Sequence, residues 1–548
     1  MTSELYHANN GLEIALDEYL EACQTFQNSN LNATPKPQGS VDPVPRVITS
    51  EYRRIALLEK KMRHVKETLE ISRGGSSIVT PINTLPVEVL TRVFWLVTKS
   101  KPCKLDPWSL KYGGLLKYPV LLTHVCPYWR QIIIDSPLFW SHIDAIPLMC
   151  TDETVKTRIQ TFVTRAGYST LDIHISMPYP TDEHWESFGL SEFLGPLVPR
   201  IRSLDVEIIM DDDIEDYEVQ PPALDFCASI LSVCLGPGSV PGILTEVNLR
   251  IDTLIRCLFL EGAEGGRRDE NYLSIDVPTH HLESIWRYVT ILNLGGIFPF
   301  WSSVAYSGLV ELRLDGNSYI NDKTISECQL ASILSSSPQL RTLIISLSIV
   351  PAGTPCVPVL LSSLDTLVLH PEATHNLECV MRLLIPGLKP LHTTIGGIAR
   401  DLGEKNTITE AAKFFSRSNL TTLHVVDIDN FSRLLGSVDT IQGLGITISA
   451  REDAESLLAC EKPPNLYPRR LHIFSRSSFS FSFHLLSQLV QMYTPRQLFL
   501  RGLYRIDRDG VHLTKADDIE QGLSNFGCTT EVILLELPGF KDEPFLSF

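Results

Sequence analysis

The hydrophobic positions of this chain change period several times, and each change marks an element. Leu12, Leu16, Tyr19, Leu20, Cys23 and Phe26 fall at helical spacing, which predicts a short amphipathic helix over about Leu12–Gln27. A stretch rich in Asn, Ser and Pro follows, so residues 1–45 read as a helix and a linker. The period then becomes heptad. Ile55, Leu58, Met62, Val65 and Leu69 are spaced 3, 4, 3 and 4, with charged residues such as Glu51, Arg53, Glu59, Lys60 and Arg63 on the other faces. Residues 46–73 therefore form either a coiled coil, through which two copies could associate, or a single amphipathic helix folded on its own chain. Gly74-Gly75-Ser76-Ser77 ends it.

Residues 82–143 carry three short helical segments. Pro86 suits the first turn of a helix, where its missing N–H is not needed, and Glu88 is favoured there by the helix dipole. This helix bears two adjacent apolar stripes, Val89/Val93/Leu96 and Leu90/Phe94/Val97. One stripe suffices for a small core, so the other needs a further surface to cover it. A second short helix is expected over Val120 to about Cys126. A third starts at Pro127 with Trp129, Ile132 and Ile133 on one face, and Ser136-Pro137 stops it. The insertion from about Thr98 to Tyr118 reads as loop. Four of the chain's seven tryptophans lie in this block (Trp95, Trp108, Trp129, Trp140). Three helices this short cannot bury so much apolar surface by themselves. An ordinary helical subdomain packed on the rest of the chain and a partner-binding surface both remain open on physical grounds.

The residues of this block also carry a family resemblance. Leu85-Pro86-x-Glu88-Val89-Leu90, then Val125-Cys126-x-x-Trp129-Arg130, then Ser136-Pro137-Leu138-Phe139-Trp140 resemble the F-box motif of the kind abundant in fungi. The insertion between the first two blocks departs from that pattern. The resemblance implies binding to the Skp-type adaptor of a cullin–RING ubiquitin ligase. The residues it places in adaptor contact are Leu85, Pro86, Val89, Leu90, Val93, Phe94, Val125 and Trp129, some of which must instead hold the helices together.

Beyond this block a helix is expected over Asp152–Ala166 and a strand over Thr170–Ile175, where apolar residues alternate. Then a unit recurs, apolar-x-x-apolar-x-apolar. It begins at Ile201, Leu244, Val289, Leu309, Leu340, Leu364, Leu420 and Ile441, with a partial copy at Leu498-x-Leu500. Several offsets fall near 20 to 31 residues, as from Leu292 to Leu312 and from Leu312 to Leu343. The unit resembles an irregular leucine-rich repeat, with Asn317 where that repeat's buried asparagine would sit. A single repeat cannot bury its Leu pair, and stacking buries it continuously. Ile325–Ser336 and Ala411–Ser416 read as helices on the outer face. The expected fold is thus α/β: an N-terminal helix or coiled coil, a three-helix block over 82–143, and an irregular solenoid of parallel strands with outer helices over 150–548.

Composition narrows the function. The 548 residues carry a formal charge of −17 and are 44% hydrophobic, which suits a folded, acidic protein. Such a balance argues against broad binding to nucleic acid or to an anionic membrane, and no run approaches a membrane span. The N-terminus lacks the pattern of a secretory leader, and the 12 scattered cysteines suit reduced thiols; cytosol or nucleus is expected. No phosphate loop, His-Glu-x-x-His or nucleophile elbow appears. Gly236–Gly242 is broken by prolines and reads as a loop, as does the acidic run Asp211–Asp216 beside Pro221. His280-His281 has no ligand partner at metal spacing, and Cys126 is expected to be a small buried residue in an apolar helix. No cofactor or metal is expected. A hydrolase or transferase with a helical cap would need a polar catalytic cluster assembled in space. The reading reached is a non-catalytic subunit of a Skp–cullin–F-box ligase that presents an unknown protein substrate on its strand face. An F-box scaffold that binds partners without directing ubiquitination is the alternative.

Overall fold

The computed structural model describes residues 2–31, 44–75, 81–99, 119–145, 153–178, 189–209, 221–251, 257–265, 271–316, 324–354, 356–369, 377–396, 405–426, 435, 438, 441–448, 455, 457–458, 466–475, 481–501, 506–508, 511–513, 515–524 and 530–535. The chain divides into two compact units, residues 1–85 and 86–548. The expected insertion loop, the acidic run Asp211–Asp216 and the Asn317 position lie outside the described residues, apart from Thr98 and Lys99 at the start of that loop.

The first unit contains two long helices, α1 (Thr2–Leu31) and α2 (Val44–Gly75). Helix α1 overruns the expected Leu12–Gln27 at both ends, because no proline occurs before Pro35 to stop it. Helix α2 starts with Pro45 in its first turn and stops at Gly75, as the Gly-Gly pair predicts. Tyr19 of α1 donates its hydroxyl to Glu51 of α2 at 2.8 Å. The heptad positions Ile55, Leu58, Met62, Val65 and Leu69 are all exposed.

The second unit opens with helix α3 (Val87–Lys99) and continues through a 3-10 turn (Val120–His124) to α4 (Pro127–Asp135). Strand β1 (His142–Ala145) and helix α5 (Glu153–Ala166) follow. The strand array then runs β2 (Leu171–Pro178), β3 (Ile201–Ile209), β4 (Glu246–Ile251), β5 (Ile291–Gly295), β6 (Glu311–Asp315) and β7 (Thr342–Ser346). It continues as β8 (Thr366–Leu369), β9 (Leu391–Gly396), β10 (Leu420–Val426) and β11 (Gly443–Ile448). The last members are β12 (Arg470–Ser475), β13 (Gln497–Arg501) and β14 (Glu531–Leu535).

These 14 strands form one sheet in chain order, and every neighbouring pair is parallel. An all-parallel sheet built in chain order is the solenoid arrangement: each strand rests on the one before it and offers the next an edge. The register lines the apolar positions into two rows. The first runs from Ile143 and Ile173 through Leu204, Val247, Leu292, Leu312, Leu343 and Leu367 to Thr393, Leu423, Leu444, Leu471, Leu498 and Val532. All are buried. The second row lies two residues further along each strand and includes Val206, Leu249, Leu294, Leu314 and Ile345, all buried as well. Helices in the connecting segments add buried side chains, such as Leu330, Ile333 and Leu334 of Glu327–Ser335. That helix matches the expected Ile325–Ser336, and its Ser326 and Gln329 form a reciprocal capping box. The helix expected at Ala411–Ser416 starts earlier, at Lys405.

The recurrent unit located nine strands of this sheet and simple alternation located β2. It missed β1, β9, β12 and β14, each for a local reason. In β9, Thr393 stands where its neighbours have Leu, and its buried hydroxyl oxygen has no partner among the described residues. In β12 and β14 the first apolar place is taken by Pro468 and Thr529. Strand β1 shares its first place with Trp140, which the helical block also uses. An ion pair ties the connection before β7 to the connection before β9. Glu327, fully buried, accepts from the Arg382 guanidinium at 2.7 and 2.5 Å.

Candidate interaction surfaces

The helical block keeps some of its expected features and revises three. The Pro86 carbonyl accepts from the N–H groups of Val89 and Leu90, so Pro86 caps α3 rather than entering its first turn. The expected second helix is a single 3-10 turn. Cys126 is not inside a helix. It is the half-buried N-cap of α4, its sulfur accepting from the Trp129 N–H at 3.5 Å. Pro127 then occupies the first turn of α4. The core of the block comprises Leu90, Phe94, Ile133, Phe139 and Trp140. Phe94 meets the Trp129 ring with centroids 4.5 Å apart, and the Trp140 indole N–H donates to the Ile133 carbonyl at 2.8 Å. Trp140 also abuts Phe162 of α5 edge-on at 5.0 Å, which joins the block to the start of the strand array.

This core separates the two stripes of α3. Leu90 and Phe94 are 0% and 1% exposed, whereas Val89 and Leu96 are 43% and 50% exposed. Val93 is half-buried between them. Of the eight residues placed in adaptor contact by resemblance, Leu90 and Phe94 are therefore core residues and reach no partner while the block is folded. Trp129 is half-buried against Phe94. Pro86, Val89 and Val125 are exposed, Val125 by 58%. Leu85, in the first unit, is exposed too, its N–H donating to the Ile82 carbonyl at 3.2 Å. Leu96 and Leu121 are exposed apolar residues that the motif does not mark. The spacing of Leu96 from Val89 and Val93 was the signal for the first of them.

The second surface is the face of the sheet opposite the Leu rows. Its central ladder reads Asp144, His174, Asp205, Asn248, Asn293 and Arg313 across β1–β6, then Ile344, Val368, Thr394, His424, Gly445, His472 and Phe499 across β7–β13. The two halves differ. Across β1–β6 the face is charged and mostly half-exposed, with Asp172, Glu207, Glu246, Glu311 and Asp315 set against Arg202, Arg250 and Arg313. From Ile344 onward the ladder is buried as far as His472. There His472 stacks on Phe499 at 4.3 Å, and His424 Nε2 lies 2.9 Å from the Thr447 hydroxyl. A Cβ at Gly445 would come within 2.7 Å of the His424 ring, so glycine makes room for that imidazole. Burial, with Arg470 and Arg501 adding repulsion, pushes His472 down to about 4. The central ladder is thus half-exposed over most of the first six strands and buried from Ile344 to His472, while positions beside it such as Thr366, His392 and Arg470 keep some exposure.

A polar cluster that the sequence reading passed over lies at the open end of this face. His142 Nε2 is 2.9 Å from Asp144 Oδ1, and His174 Nδ1 is 3.4 Å from the same oxygen. The three donor atoms lie within 4.8 Å of one another. Burial opposes the Asp144 charge, but the two imidazoles, His142 first, outweigh it and hold the carboxyl well below the ordinary carboxylate range. Desolvation likewise opposes protonation of His142, and Asp144 overcomes it, so that imidazole is raised. The signal in the sequence was a mirrored pair, His142-Ile-Asp144 and Asp172-Ile-His174, on strands whose parallel register sets His against Asp. His281, by contrast, lies 2.9 Å from the Gly236 carbonyl, tying the helix Thr279–Trp286 to the turn at Gly236. Two of the cysteines read as scattered, Cys328 and Cys356, are neighbours with sulfurs 2.7 Å apart.

No helix among the described residues is long and apolar enough to cross a membrane. No protein-family model matches the chain, and no curated protein matches it.

Proposed function

We propose that this protein is a substrate-recognition adaptor of a Skp–cullin–F-box ubiquitin ligase, with an F-box at 82–143 and irregular leucine-rich repeats behind it. The observation that carries this reading is the exposed stripe of α3. Val89 and Leu96 stay in solvent although Leu90, Phe94 and Trp140 already give the block a closed core. An apolar stripe that the core does not need is a surface for another protein. The Leu85-Pro86 and Val125-Cys126-x-x-Trp129 motifs supply the identity of that protein, a Skp-type adaptor that leads on to cullin.

In this reading the chain performs no chemistry. It holds a protein substrate near the transferring subunits and contributes proximity. The charged half of the strand face, β1–β6, presents the substrate contacts, since its central ladder is mostly half-exposed where that of β7–β12 is buried. The exposed heptad seam Ile55–Leu69 lets two copies associate through α2.

Co-purification with a Skp-type adaptor tests the proposal. Wild type should bind one to one, and Leu85→Ala/Pro86→Ala should lose the complex while remaining folded. A folded wild-type chain that binds no adaptor would overturn it.

A further inference from the structure

We infer that His142, Asp144 and His174 form a binding site for a divalent transition-metal ion of the zinc class, open to one further ligand. The site belongs to the strand face and does not depend on the ligase reading.

The geometry carries the inference. The three residues come from two adjacent parallel strands, with Asp144 directly across the ladder from His174 and His142 two residues before Asp144 on the same face. Their positions are thus set by the sheet and not by a loop, which is what a precise ligand set requires. Four-coordinate zinc binds nitrogen and oxygen at about 2.0–2.2 Å, which places tetrahedral neighbours roughly 3.3 Å apart. The two separations about Asp144 Oδ1 are 2.9 and 3.4 Å, close to that spacing; the third pair lies within 4.8 Å, and an ion would draw the two imidazoles to it. Two imidazoles and one carboxylate are a borderline donor set. It suits zinc, cobalt or nickel better than calcium or magnesium, which take oxygen alone.

The surroundings favour a cation independently of that triangle. Asp172 stands across from His142, and Asp205 across from His174. Both carboxylates add negative charge beside the imidazoles, which favours a bound cation. Around the triad, Asp172, Asp205, Glu207 and Glu246 outnumber the cations Arg202 and Arg250. Arg202 lies 2.6 Å from Asp172, and Arg250 lies 3.6 Å from Glu207, which leaves the patch negative. The His142 side chain is 45% exposed, whereas those of Asp144 and His174 are 13% and 10% exposed. An ion held there would be reachable from one side, where water or a donor from a partner protein completes the set. Because this lies on the accessible half of the face, a bound ion would become part of whatever docks there.

The test uses the full-length chain after removal of any affinity tag and of adventitious metal with a chelator. Zinc is titrated by calorimetry, and the bound metal is counted by mass spectrometry after dialysis. One zinc per chain is expected. His142→Ala and His174→Ala should each lose at least the roughly 10–100-fold in affinity that even an outer-shell change costs, and Asp144→Asn should do the same. His142 is half-exposed, so its variant should fold; unfolding recorded without metal should stay a single cooperative transition, lowered by the loss of the His142–Asp144 pair. Cobalt in place of zinc should give a visible absorption band that the His142 variant lacks. Two results would overturn the site. One is no zinc retained by folded wild type. The other is zinc retained equally by the His142 and His174 variants, which would place the metal on other residues. The triad would then be a network in which one carboxylate accepts from two imidazoles.

Discussion

Helix α3 and the strands of the sheet face the same problem and solve it differently. Each presents two parallel lines of apolar side chains. The inner strands bury both, because each strand is covered by its neighbours and by the segments that connect them; from Leu204 to Leu498 the first row has no exposed member, and in the second Leu534 of the edge strand β14 is exposed. Helix α3 buries Leu90 and Phe94 and leaves Val89 and Leu96 in solvent. In the array, apolar surface goes to cohesion, and the charged positions lie on the opposite face. In the helical block, Val89 and Leu96 stay exposed outside a closed core, and the proposed function rests on that difference.

Core truncations should show the largest effects, and should do so in both regions. Phe94→Ala is expected to lose about 3–5 kcal/mol and Leu343→Ala about 2–5 kcal/mol, read by denaturant unfolding. If Phe94→Ala were neutral, the stripe assigned to the core of the block would be the wrong one. Arg382→Met should cost about 1–3 kcal/mol, because it leaves the buried Glu327 carboxylate to the Ala352 N–H. Replacing both partners by apolar residues should recover most of the loss.

A pH effect sharpens the contrast between the two halves of the strand face. The folded state holds His472 at about 4, below its ordinary 6.5, so the unfolded chain binds the extra proton between those values. The stabilising contribution is whole above pH 6.5, declines as the pH falls to 4, and is constant below that. The loss should be on the order of 3 kcal/mol. Chemical unfolding at a series of pH values should show this slope in wild type and a shallower one in His472→Gln, the difference being the contribution of the imidazole. An equal slope in both would mean that the imidazole titrates as it does in water.

The smallest effect on stability is expected where the effect on binding is largest. Val89→Asp and Leu96→Asp lie on the exposed stripe and should change stability by only about 0.5 kcal/mol each. A large loss would show that the stripe is covered within the chain.

Much of this architecture is written in local periodicity. The 3-and-4 spacing of Val89, Val93 and Leu96 beside Leu90, Phe94 and Val97 predicts two stripes, and the recurring apolar-x-x-apolar-x-apolar unit marks most of the strands. Periodicity alone does not say which stripe faces inward. That depends on where Ile133 and Trp140 arrive, and they lie some forty residues away. The strand template fails where a single place is filled by Thr393, Pro468 or Thr529, because the tertiary array tolerates one poor member that a local pattern does not. The His142, Asp144 and His174 cluster is harder still to see. Its members are unremarkable in sequence, and only the parallel register of β1 with β2 brings them together. Burial of the strand face beyond β6 has no local signal, since Thr394, Thr422 and Thr447 look like surface residues.

The most direct test of the account is the affinity of a purified Skp-type adaptor for the wild-type chain and for Val89→Asp/Leu96→Asp, with both first shown to unfold at the same denaturant concentration. The account predicts tight one-to-one binding by wild type and its loss in the variant, because the charges fall on the surface that the partner would cover. Equal binding by the two proteins, or none by wild type, would contradict it.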